Sequence, residues 1–504
     1  MIISLFIILP LLAVFINSIL GRFYKVFSDI FVNITNFVLV ILSCVALYQI
    51  NLSSEKIFIY QVGGWEIPYG ITLVLDFYSV FMLLVVNIVS FFVGIYSISY
   101  MEKYTDKWGF YSLFELMITG MNGVIISGDL FNIFVFLEIA SIASYALVAF
   151  GTEKDELEAS FKYIVLGSIS TGFILLGIIL TYGYTSTLNL ADISNNIKTS
   201  KDLIVKIIMF LFVIGLGIKS AVVPLHWWLP DAHPSAPAPI SAMLSGLLIK
   251  TLGIYLIVRL VFNIFPQDVK ILKIIFYLGM ISMIFGVILA LYQWDYKRLL
   301  AYHSISQVGY IFLGVGLGTP LGLLGGLFHL FNHSIFKSLL FLTSGALEYN
   351  FSTRNLKNYF YVSKTMPKTT FAAFVGSLSI AGIPPFNGFW SKLIIIIACI
   401  ESKNIFAGLV AIFVSVLTLA SFLKVLKYGF YNEEKENTAE KNNLLFTKIS
   451  LKEVPFFMQF SMISLAILCI VSAIFIYPEI KQILLSKTID IIYKTELYRH
   501  LILK

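Results

Sequence analysis

Long apolar stretches separated by short polar connections run along almost the whole chain. Most contain roughly 20 residues, the length that a helix needs to cross the hydrocarbon core of a bilayer. Lipid cannot hydrogen-bond the backbone, so such stretches are predicted to be helices that satisfy their own peptide groups. The strict alternation typical of a membrane β-barrel is not seen in the sequence. The pattern therefore predicts an all-α membrane protein of about fourteen transmembrane helices. The predicted spans are 2–20, 28–50, 71–100, 109–127, 130–150, 160–182, 203–225, 238–262, 270–292, 299–316, 321–347, 368–400, 404–430 and 456–477.

Composition supports a membrane location. Of the 504 residues, 59% are hydrophobic and only 12% are charged, and the mean hydropathy is +0.90. A soluble domain of this length would need far more polar surface to stay dispersed in water. The first apolar segment lacks a basic start and a convincing small-residue cleavage site. It is therefore predicted to be a transmembrane helix, in preference to a signal peptide.

Charge and cysteine content exclude several classes of function. The net charge of +7 is spread over the loops and does not suggest binding to nucleic acid. The cysteines Cys44, Cys399 and Cys469 lie far apart inside apolar segments, and no CxxC motif or Cys/His cluster occurs in the sequence. We therefore expect no metal site, haem or iron–sulfur cluster of the usual sequence kinds, and no cofactor.

The distribution of basic residues predicts the orientation of the chain. Loops after odd-numbered helices hold clearly more lysines and arginines than loops after even-numbered helices, including Lys103, Lys154, Arg298 and Arg354. By the positive-inside rule these loops are cytoplasmic, which places both termini outside a cytoplasmic membrane that the chain crosses many times. The one sizeable polar insertion, 431–455, carries mixed charges and is predicted to be a solvated loop.

A few ionisable residues remain at membrane depth once the charges of the loops and helix ends are set aside. An ionisable side chain at the centre of a membrane helix costs about 2.5–3.5 kcal/mol on insertion scales. Such residues usually face a bundle interior or a water-filled cavity, and they usually serve ion movement. The residues of this kind are Glu115, Glu138, Lys219, Lys250, Lys337 and Lys392.

Their depth in the spans separates functional from structural interpretations. Lys337 lies in the second half of its span and can extend to the headgroups, so a structural and a functional role both stay open. Glu115 sits early in its span, which favours a structural role. The other three lysines lie deeper, which favours function. Glu138 has no opposite charge nearby in sequence, so we expect it to meet a buried lysine from another helix.

The histidines divide into two groups. His329 and His333 are four residues apart on one helix face, with Lys337 one turn further along the same stripe. A metal site would need further ligands close by, and the sequence offers no obvious ones. A proton relay needs only groups that titrate near neutral pH within reach of one another or of water, and we favour that role over a structural one. For His226 and His233, packing and gating both stay open.

Two spans are predicted to be interrupted by proline. Pro224 follows Lys219 closely, and Pro384 and Pro385 precede Lys392 within one apolar segment. Proline removes a backbone hydrogen bond and clashes with the preceding turn of a helix. Paired breaks in two halves of a membrane protein point to a transport site. Because each break lies close to a buried lysine, the two features together predict ion transport.

Three segments resemble one family of membrane proteins. They are GDLFNIFVFLE at 128–138, KSAVVPLHWWLPDAH at 219–233 and GIPP at 382–385. The family is that of the antiporter-like proton-translocating subunits, shared by respiratory complex I, membrane-bound hydrogenases and Mrp-type multisubunit cation/proton antiporters. The resemblance covers nearly the whole chain. The first segment is more similar to the D-type Mrp subunit and its hydrogenase relatives.

This resemblance implies a domain organisation. It implies fourteen helices that include two inverted five-helix repeats, each with one broken helix. The implied parts are an N-terminal three-helix segment at 1–105, a first repeat at 106–265, a second repeat at 266–430, the polar loop at 431–455, and a last helix with a tail at 456–504.

The resemblance also implies roles for the buried ionisable residues. Glu138 and Lys219 match the family's glutamate–lysine pair, and Lys250 matches the central relay residue. His329 and His333 fall on the intervening relay helix. The terminal relay residue is Lys392, and a lysine there argues against the complex I subunit type that has glutamate.

Three functions remain open at the level of the sequence. The chain is expected to exchange Na⁺ or another cation for protons within an Mrp-like assembly, or to pump protons in a redox-driven complex such as complex I or a membrane hydrogenase. A structural subunit without transport is the third alternative, which the costly buried charges disfavour. In each case the expected partners are other membrane subunits, and any redox chemistry belongs to them because the chain has no recognisable flavin, quinone or iron–sulfur motif.

Overall fold

The computed structural model describes residues 2–53, 56–432, 452–493 and 495–503. Most of these residues are helical, and among them eleven helices are long and apolar enough to cross a membrane. The predicted multi-pass helical membrane protein is confirmed. Most of the polar loop predicted at 431–455 lies outside the described residues.

The helices of the N-terminal half are long spans joined by short helices. Their bounds are α1 Ile2–Leu20, α2 Lys25–Leu52, α3 Phe77–Tyr100, α4 Lys107–Ile126, α5 Leu130–Val148, α6 Lys154–Thr185, α7 Leu190–Asn196, α8 Leu203–Ser220, α9 Leu229–Ser235 and α10 Ala238–Ile264. The helix α10 contains π-helical turns at Leu244–Leu248, Lys250–Tyr255 and Arg259–Ile264. Wide turns of this kind are rare and frequently mark functional sites.

The C-terminal half continues in the same way and ends in short helices after the last long one. The bounds are α11 Val269–Tyr292, α12 Tyr296–Gly316, α13 Pro320–Phe351, α14 Val362–Thr365, α15 Pro367–Ala381, α16 Asn387–Glu401, α17 Ile405–Phe430, α18 Phe456–Ile476, α19 Pro478–Ile483, α20 Leu485–Tyr493 and α21 Thr495–Ile502. Three predicted spans correspond to α12, α13 and the α15–α16 pair, which are not among the eleven apolar helices. The last three helices were not predicted from the sequence.

A β-hairpin precedes α3 and corrects the all-helical prediction. The strands β1 (Ile57–Gln61) and β2 (Thr72–Asp76) pair antiparallel, with Ile57 opposite Asp76. The third span was predicted to begin at residue 71, but its first residues form β2 and the helix starts at Phe77. Continuous hydropathy does not distinguish a short buried strand from the start of a helix, which is why the prediction was wrong.

Aspartate side chains cap the starts of α3, α5 and α12, among other helices. The carboxylates of Asp76, Asp129 and Asp295 each accept a hydrogen bond from the backbone N–H three residues later. This is the usual N-terminal cap, which satisfies an N–H group that has no partner within the helix. The caps begin α3, α5 and α12 at defined residues and thereby fix where the polar side chains of those helices lie.

Both predicted helix interruptions are present in the structure. The helix α8 is capped at its C-terminal end by Ala221, which has a φ of 56°, and α15 is capped by Gly382, which has a φ of 79°. In each case a proline, Pro224 or Pro385, stands three residues after the left-handed residue. The chain then resumes as α9 or α16, so backbone groups at both breaks are released from the helical hydrogen-bond pattern.

A buried ion pair joins the hairpin to α10. Both terminal guanidinium nitrogens of Arg259, Nη1 and Nη2, donate to the carboxylate of Asp76, at 2.6 and 2.9 Å. The ring of Tyr498 in α21 lies 5.2 Å from the guanidinium carbon. Asn263 donates to the backbone carbonyls of α20, which ties the C-terminal helices to the same cluster.

Replacing Arg259 by methionine is expected to destabilise the protein by about 3–5 kcal/mol, because the buried carboxylate of Asp76 would lose its charged partner. The variant's thermal unfolding in detergent, followed by size-exclusion chromatography, checks this expectation. The matched control is Arg22→Met, since Arg22 is exposed. Equal stability of the two variants would contradict a stabilising role for this pair.

Candidate functional site

Lys219 lies in the last turn of α8, directly before the break. Its side chain is 4% exposed, and its ammonium nitrogen donates to the hydroxyl of Ser141 at 2.8 Å. The same nitrogen lies 3.4 Å from the hydroxyl of Tyr145. Both partners belong to α5, so the structure brings the ends of two helices together around one buried ammonium group.

Glu138 lies on the same face of α5 as those two partners. The positions 138, 141 and 145 are spaced by three and four residues, which aligns their side chains along the helix. The carboxylate of Glu138 is close enough to Lys219 for an electrostatic interaction, but the direct partner of the ammonium group is Ser141. One carboxylate oxygen, Oε1, has no hydrogen-bond partner among the described residues. The predicted glutamate and lysine are thus neighbours without a direct ion pair.

Aromatic side chains brace the break beside Lys219. The indole N–H of Trp228 donates to the carbonyl of Ile218 at 2.8 Å. Its ring stacks on Tyr163 with a centroid distance of 4.3 Å, and Tyr163 packs edge-on against Tyr145 at 4.5 Å. His233 follows in α9, with its ring 5.7 Å from Trp228. These contacts hold the last turn of α8 against α5 and α6.

Lys250 lies in α10 at the start of a π-helical stretch and is fully buried. Its ammonium nitrogen donates to the backbone carbonyl of Ser245. The hydroxyl of Ser245 lies 2.7 Å from that of Ser304, which links α10 to α12. One turn later, a Cβ atom on Gly253 would lie 2.9 Å from the backbone nitrogen of Ser220. This close approach needs glycine, and it brings the Lys250 helix against the turn that carries Lys219.

His329 and His333 stack along one face of α13, as their spacing predicted. The ring centroids are 6.1 Å apart and the planes differ by 6°. The two ring nitrogens of His329 contact the Ser391 hydroxyl at 2.9 Å and the Gln307 amide oxygen at 3.2 Å. Neither ring nitrogen of His333 has a hydrogen-bond partner among the described residues. The fields of Lys250 and Lys392 reach both rings.

Lys337 is fully buried one turn beyond His333. Its ammonium nitrogen donates to the carbonyl of Leu300 at 2.5 Å and lies 5.6 Å from the centre of the Phe341 ring. The side chain therefore does not extend to the headgroups, and the structural interpretation based on snorkelling does not fit. It is also within electrostatic reach of Lys250, which places it beside the row of buried ionisable groups.

Lys392 lies in α16 just after the second break. Its ammonium nitrogen donates to the carbonyl of Ile380 at 2.8 Å. That carbonyl would bond the backbone nitrogen of Pro384 in a continuous helix, and proline has no N–H to donate. The ammonium nitrogen also lies 4.7 Å from the centre of the Tyr310 ring, and that ring is 5.5 Å from His329. An open cavity of 220 Å³ borders Lys392.

A polar cavity lies at the side predicted to be cytoplasmic. It has a volume of 480 Å³ and is lined in part by Lys103, Glu156, Lys297 and Glu348. Lys297 forms a 2.7 Å ion pair with Glu348 and donates to the carbonyl of Ala236 at 3.0 Å. The cavity therefore reaches the connection between α9 and α10, the helices of His233 and Lys250.

Sequence reasoning missed the neutral polar partners in this region. They are Ser141, Tyr145, Gln307, Tyr310 and Ser391. A selection based only on charge and on histidine leaves out hydroxyl and amide groups. The signal was present for two of them, because Ser141 and Tyr145 follow Glu138 at helical spacing. The described residues contain no group of three or more His, Cys, Asp or Glu side chains arranged to hold a metal ion.

Comparison with family models identifies the relationship of the chain. Residues 127–418 match the membrane region of NADH:quinone oxidoreductase and the Mrp antiporter. Residues 60–111 match the N-terminus of chain 5 of NADH–ubiquinone oxidoreductase, or complex I. The larger match includes every residue predicted above to take part in a proton relay.

Individual relatives agree with this match. The D-type subunit of the Na⁺/H⁺ antiporter of Alkalihalophilus pseudofirmus is 36% identical over 455 residues, covering 89% of this chain and 91% of that protein. A chain of the Mrp complex from Dietzia sp. DQ12-45-1b superposes with a TM-score of 0.88 at 28% identity, covering 100% of this chain and 99% of that one. A chain of the membrane-bound sulfane sulfur reductase, an archaeal respiratory membrane complex, has a TM-score of 0.89 at 30% identity and covers 99% of both.

The family resemblance predicted from the three sequence segments is confirmed by these matches. The roles predicted for Glu138, Lys219, Lys250, His329, His333 and Lys392 stay predictions. The chain belongs to the NADH:quinone oxidoreductase/Mrp antiporter family of membrane proteins.

Proposed function

We propose that the chain is a proton-translocating subunit of a multisubunit membrane complex. Protons pass between Lys219, Lys250, the pair His329 and His333, and Lys392, through intervening water. The observation that carries the proposal is this row of buried ionisable groups. Lys219 and His329 are bonded to serine hydroxyls, and Lys250 and Lys392 are bonded to backbone carbonyls. The ring nitrogens of His333 have no hydrogen-bond partner among the described residues. Such groups are costly in a membrane and usually serve ion movement.

Glu138 controls the first step of this relay. Burial disfavours the charged form of an amine, and a nearby carboxylate favours it. Ser141 now holds the Lys219 ammonium group, and the Glu138 carboxylate is near but unbonded at one oxygen. A change of about 1.4 kcal/mol in their interaction alters a proton equilibrium tenfold. A small movement of either side chain is therefore sufficient to pass the proton on towards Lys250.

We propose fourteen membrane helices and two inverted repeats, at 106–265 and 266–430. Support comes from matched connections in the two halves of the chain. Asp129 caps α5 and pairs as an isolated bridge with Asn189, and Asp295 caps α12 and pairs in the same way with Asn355. Both asparagines then cap a short helix with their side chains. The two broken helices follow in the same order, each with a left-handed residue three positions before a proline.

The remaining parts of this organisation are the N-terminal three-helix segment at 1–105, the polar loop at 431–455, and the last helix with its tail at 456–504. Both termini lie on the outer, non-cytoplasmic side of the cytoplasmic membrane. Basic residues on the loops that follow odd-numbered spans support this orientation. The polar cavity that Lys297 and Glu348 line then opens towards the cytoplasm and supplies water to the relay.

We propose an Mrp-type cation/proton antiporter, or a related membrane hydrogenase module, as the complex. The relative with 36% identity over 89% of the chain belongs to an Na⁺/H⁺ antiporter, which supports the first assignment. The alternative is a redox-driven pump of the complex I kind, which the likeness to a respiratory membrane complex supports. Purification after mild solubilisation distinguishes them: small membrane subunits alone indicate the antiporter, and iron–sulfur proteins indicate the redox pump.

Replacing Glu138 by alanine is expected to reduce ΔpH formation in inverted vesicles by about tenfold or more, because a positioned proton-transfer partner is lost. Glu401→Ala is the matched control, since Glu401 is exposed at the end of α16. Co-purification of the partner subunits checks that the complex is assembled. Undiminished transport in an assembled Glu138→Ala complex would contradict the proposed relay.

A further inference from the structure

Basic side chains from the C-terminal half of the chain contact the end of the short helix α9. One guanidinium nitrogen of Arg354, Nη1, donates to the carbonyl of Pro234 at 2.6 Å. The ammonium nitrogen of Lys297 donates to the carbonyl of Ala236 at 3.0 Å, and the Ser241 hydroxyl lies 3.1 Å from the same oxygen. Lys297 lies in the first turn of α12, and Arg354 follows α13. The two halves of the chain therefore meet at the last residues of α9.

The proline-rich run after α9 explains why these carbonyls accept side-chain donors. A helical carbonyl bonds the N–H four residues later or, in a tighter turn, three residues later. Pro237 stands three residues after Pro234, Pro239 stands three residues after Ala236, and proline has no N–H. The N–H of Ala238, four residues after Pro234, is directed to a tyrosine hydroxyl. Because a buried carbonyl without a donor is costly, the basic side chains supply what the backbone lacks.

Both basic side chains are themselves fixed by partners in the C-terminal half. The Nε atom of Arg354 lies 3.3 Å from the carboxylate of Asp295, the residue that caps α12. The backbone N–H of Tyr296 donates to the carbonyl of Arg354 at 2.9 Å. Lys297 is 2% exposed and forms its 2.7 Å ion pair with Glu348 on α13. The two cations thus belong to the framework of the C-terminal half, and each is charge-balanced there.

The opposite end of α9 is attached to the Lys219 site. Trp228 directly precedes α9, and its indole N–H donates to the carbonyl of Ile218, the residue before Lys219. The helix between these two attachments has only seven residues, so it is about 10 Å long. A helix this short moves as a unit. Its position at the proline-rich end therefore determines where Trp228 lies against the last turn of α8.

Ion pairs in the middle of α9 add less to this attachment. The carboxylate of Asp231 lies 3.0 Å from the ammonium nitrogen of Lys162 on α6 and 3.6 Å from a guanidinium nitrogen of Arg298 on α12. The side chains of all three residues are at least 30% exposed. Exposed ion pairs typically contribute about 0–1 kcal/mol. The charged donors on the buried carbonyls of Pro234 and Ala236 are therefore the stronger attachment.

We infer that Arg354 and Lys297 are positioning residues that fix α9, and through Trp228 the surroundings of Lys219, from the C-terminal half of the chain. The inference rests on the proposed function, because Lys219 is the residue assigned to the first step of the relay. The helix α9 packs against both α6 and α12, so it lies between the two halves that this contact joins. Release of its C-terminal carbonyls lets α9 and Trp228 move away from Ile218, and water then reaches Lys219.

Hydrogen–deuterium exchange of the intact complex tests the attachment of α9. Arg354→Met removes the donor to Pro234, so the amides of 228–236 should exchange about tenfold faster, as expected when a hydrogen bond from a charged group is lost. Arg354→Gln, which loses the charge and the reach, should show the same rise and replaces the first variant if that one does not assemble. Lys357→Met is the matched control, because Lys357 is exposed on the same connection and contacts the Trp294 ring at 4.2 Å. Exchange of 228–236 at the control's rate would overturn the inference.

The pH dependence of proton-driven charge displacement distinguishes positioning from general support. In Arg354→Met the pH of half-maximal displacement should rise by about one unit, because water around Lys219 favours its charged form. Arg354→Lys retains one charged donor and should restore the original pH dependence. A smaller displacement with an unchanged pH of half-maximum would show a structural contact only and would overturn the inference. The exchange measurement needs no transport, so it decides the attachment of α9 even if Lys219→Ala contradicts the relay.

Discussion

Replacing Lys219 by alanine is expected to lower proton translocation by roughly 100-fold or to the level of the background leak, as expected when a positioned proton-transfer group is removed. The ammonium group of Lys219 contacts α5 through Ser141 and is within electrostatic reach of Glu138. Its loss removes the proton-accepting amine whose proton affinity Glu138 controls in the proposed relay. ΔpH formation in inverted vesicles measures the effect.

The matched control for this variant is Lys206→Ala. Lys206 lies on the same helix, α8, but is partly exposed near the opposite end. Loss of a surface lysine should leave transport unchanged. Both variants must retain their partner subunits on purification. Normal ΔpH formation by an assembled Lys219→Ala complex would show that protons do not pass through this residue.

Replacing Lys250 by methionine should abolish transport to a similar extent while leaving the protein at least as stable. Methionine retains most of the volume of lysine and removes the titratable group. The ammonium group is fully buried and bonds only a backbone carbonyl among the described residues, with no carboxylate in contact. Removing an unpaired buried charge in favour of an apolar side chain is often neutral or stabilising.

This combination of lost transport and retained stability separates a relay role from a structural one. Thermal unfolding in detergent and ΔpH formation are measured on the same preparation. Lys273→Met serves as the control, because Lys273 is exposed on α11. If Lys250→Met destabilised the protein and transport fell only in proportion to the folded fraction, Lys250 would be a structural residue.

Hydropathy predicted most of the helical fold, because a membrane leaves the backbone few alternatives to helices. The proline pattern also predicted where α8 and the α15–α16 pair are interrupted. The β-hairpin before α3 was missed, since the short apolar run Leu73–Leu75 in a strand looks like the first turn of an apolar helix. The π-helical turns of α10 were not predicted either, because they depend on packing against neighbouring helices.

The candidate site was predicted more completely in its charges than in its contacts. A charged residue within an apolar span can be recognised from the sequence alone. The structure shows that three such residues, Lys219, Lys250 and Lys392, are all buried. Which partner each side chain meets depends on the rotation of each helix and on rotamers. For this reason Ser141 takes the place expected for Glu138, and Ile380 becomes the partner of Lys392 only because a proline frees its carbonyl.

The most direct test of the relay measures charge displacement on a solid-supported membrane. Liposomes that contain the intact complex are adsorbed to it and exposed to a rapid pH change. The relay predicts a proton-driven charge displacement in the unmodified complex and in Lys206→Ala. It predicts displacement at the level of empty liposomes for Lys219→Ala and Lys250→Met. Equal displacement in all four assembled complexes would contradict proton passage through the buried lysines.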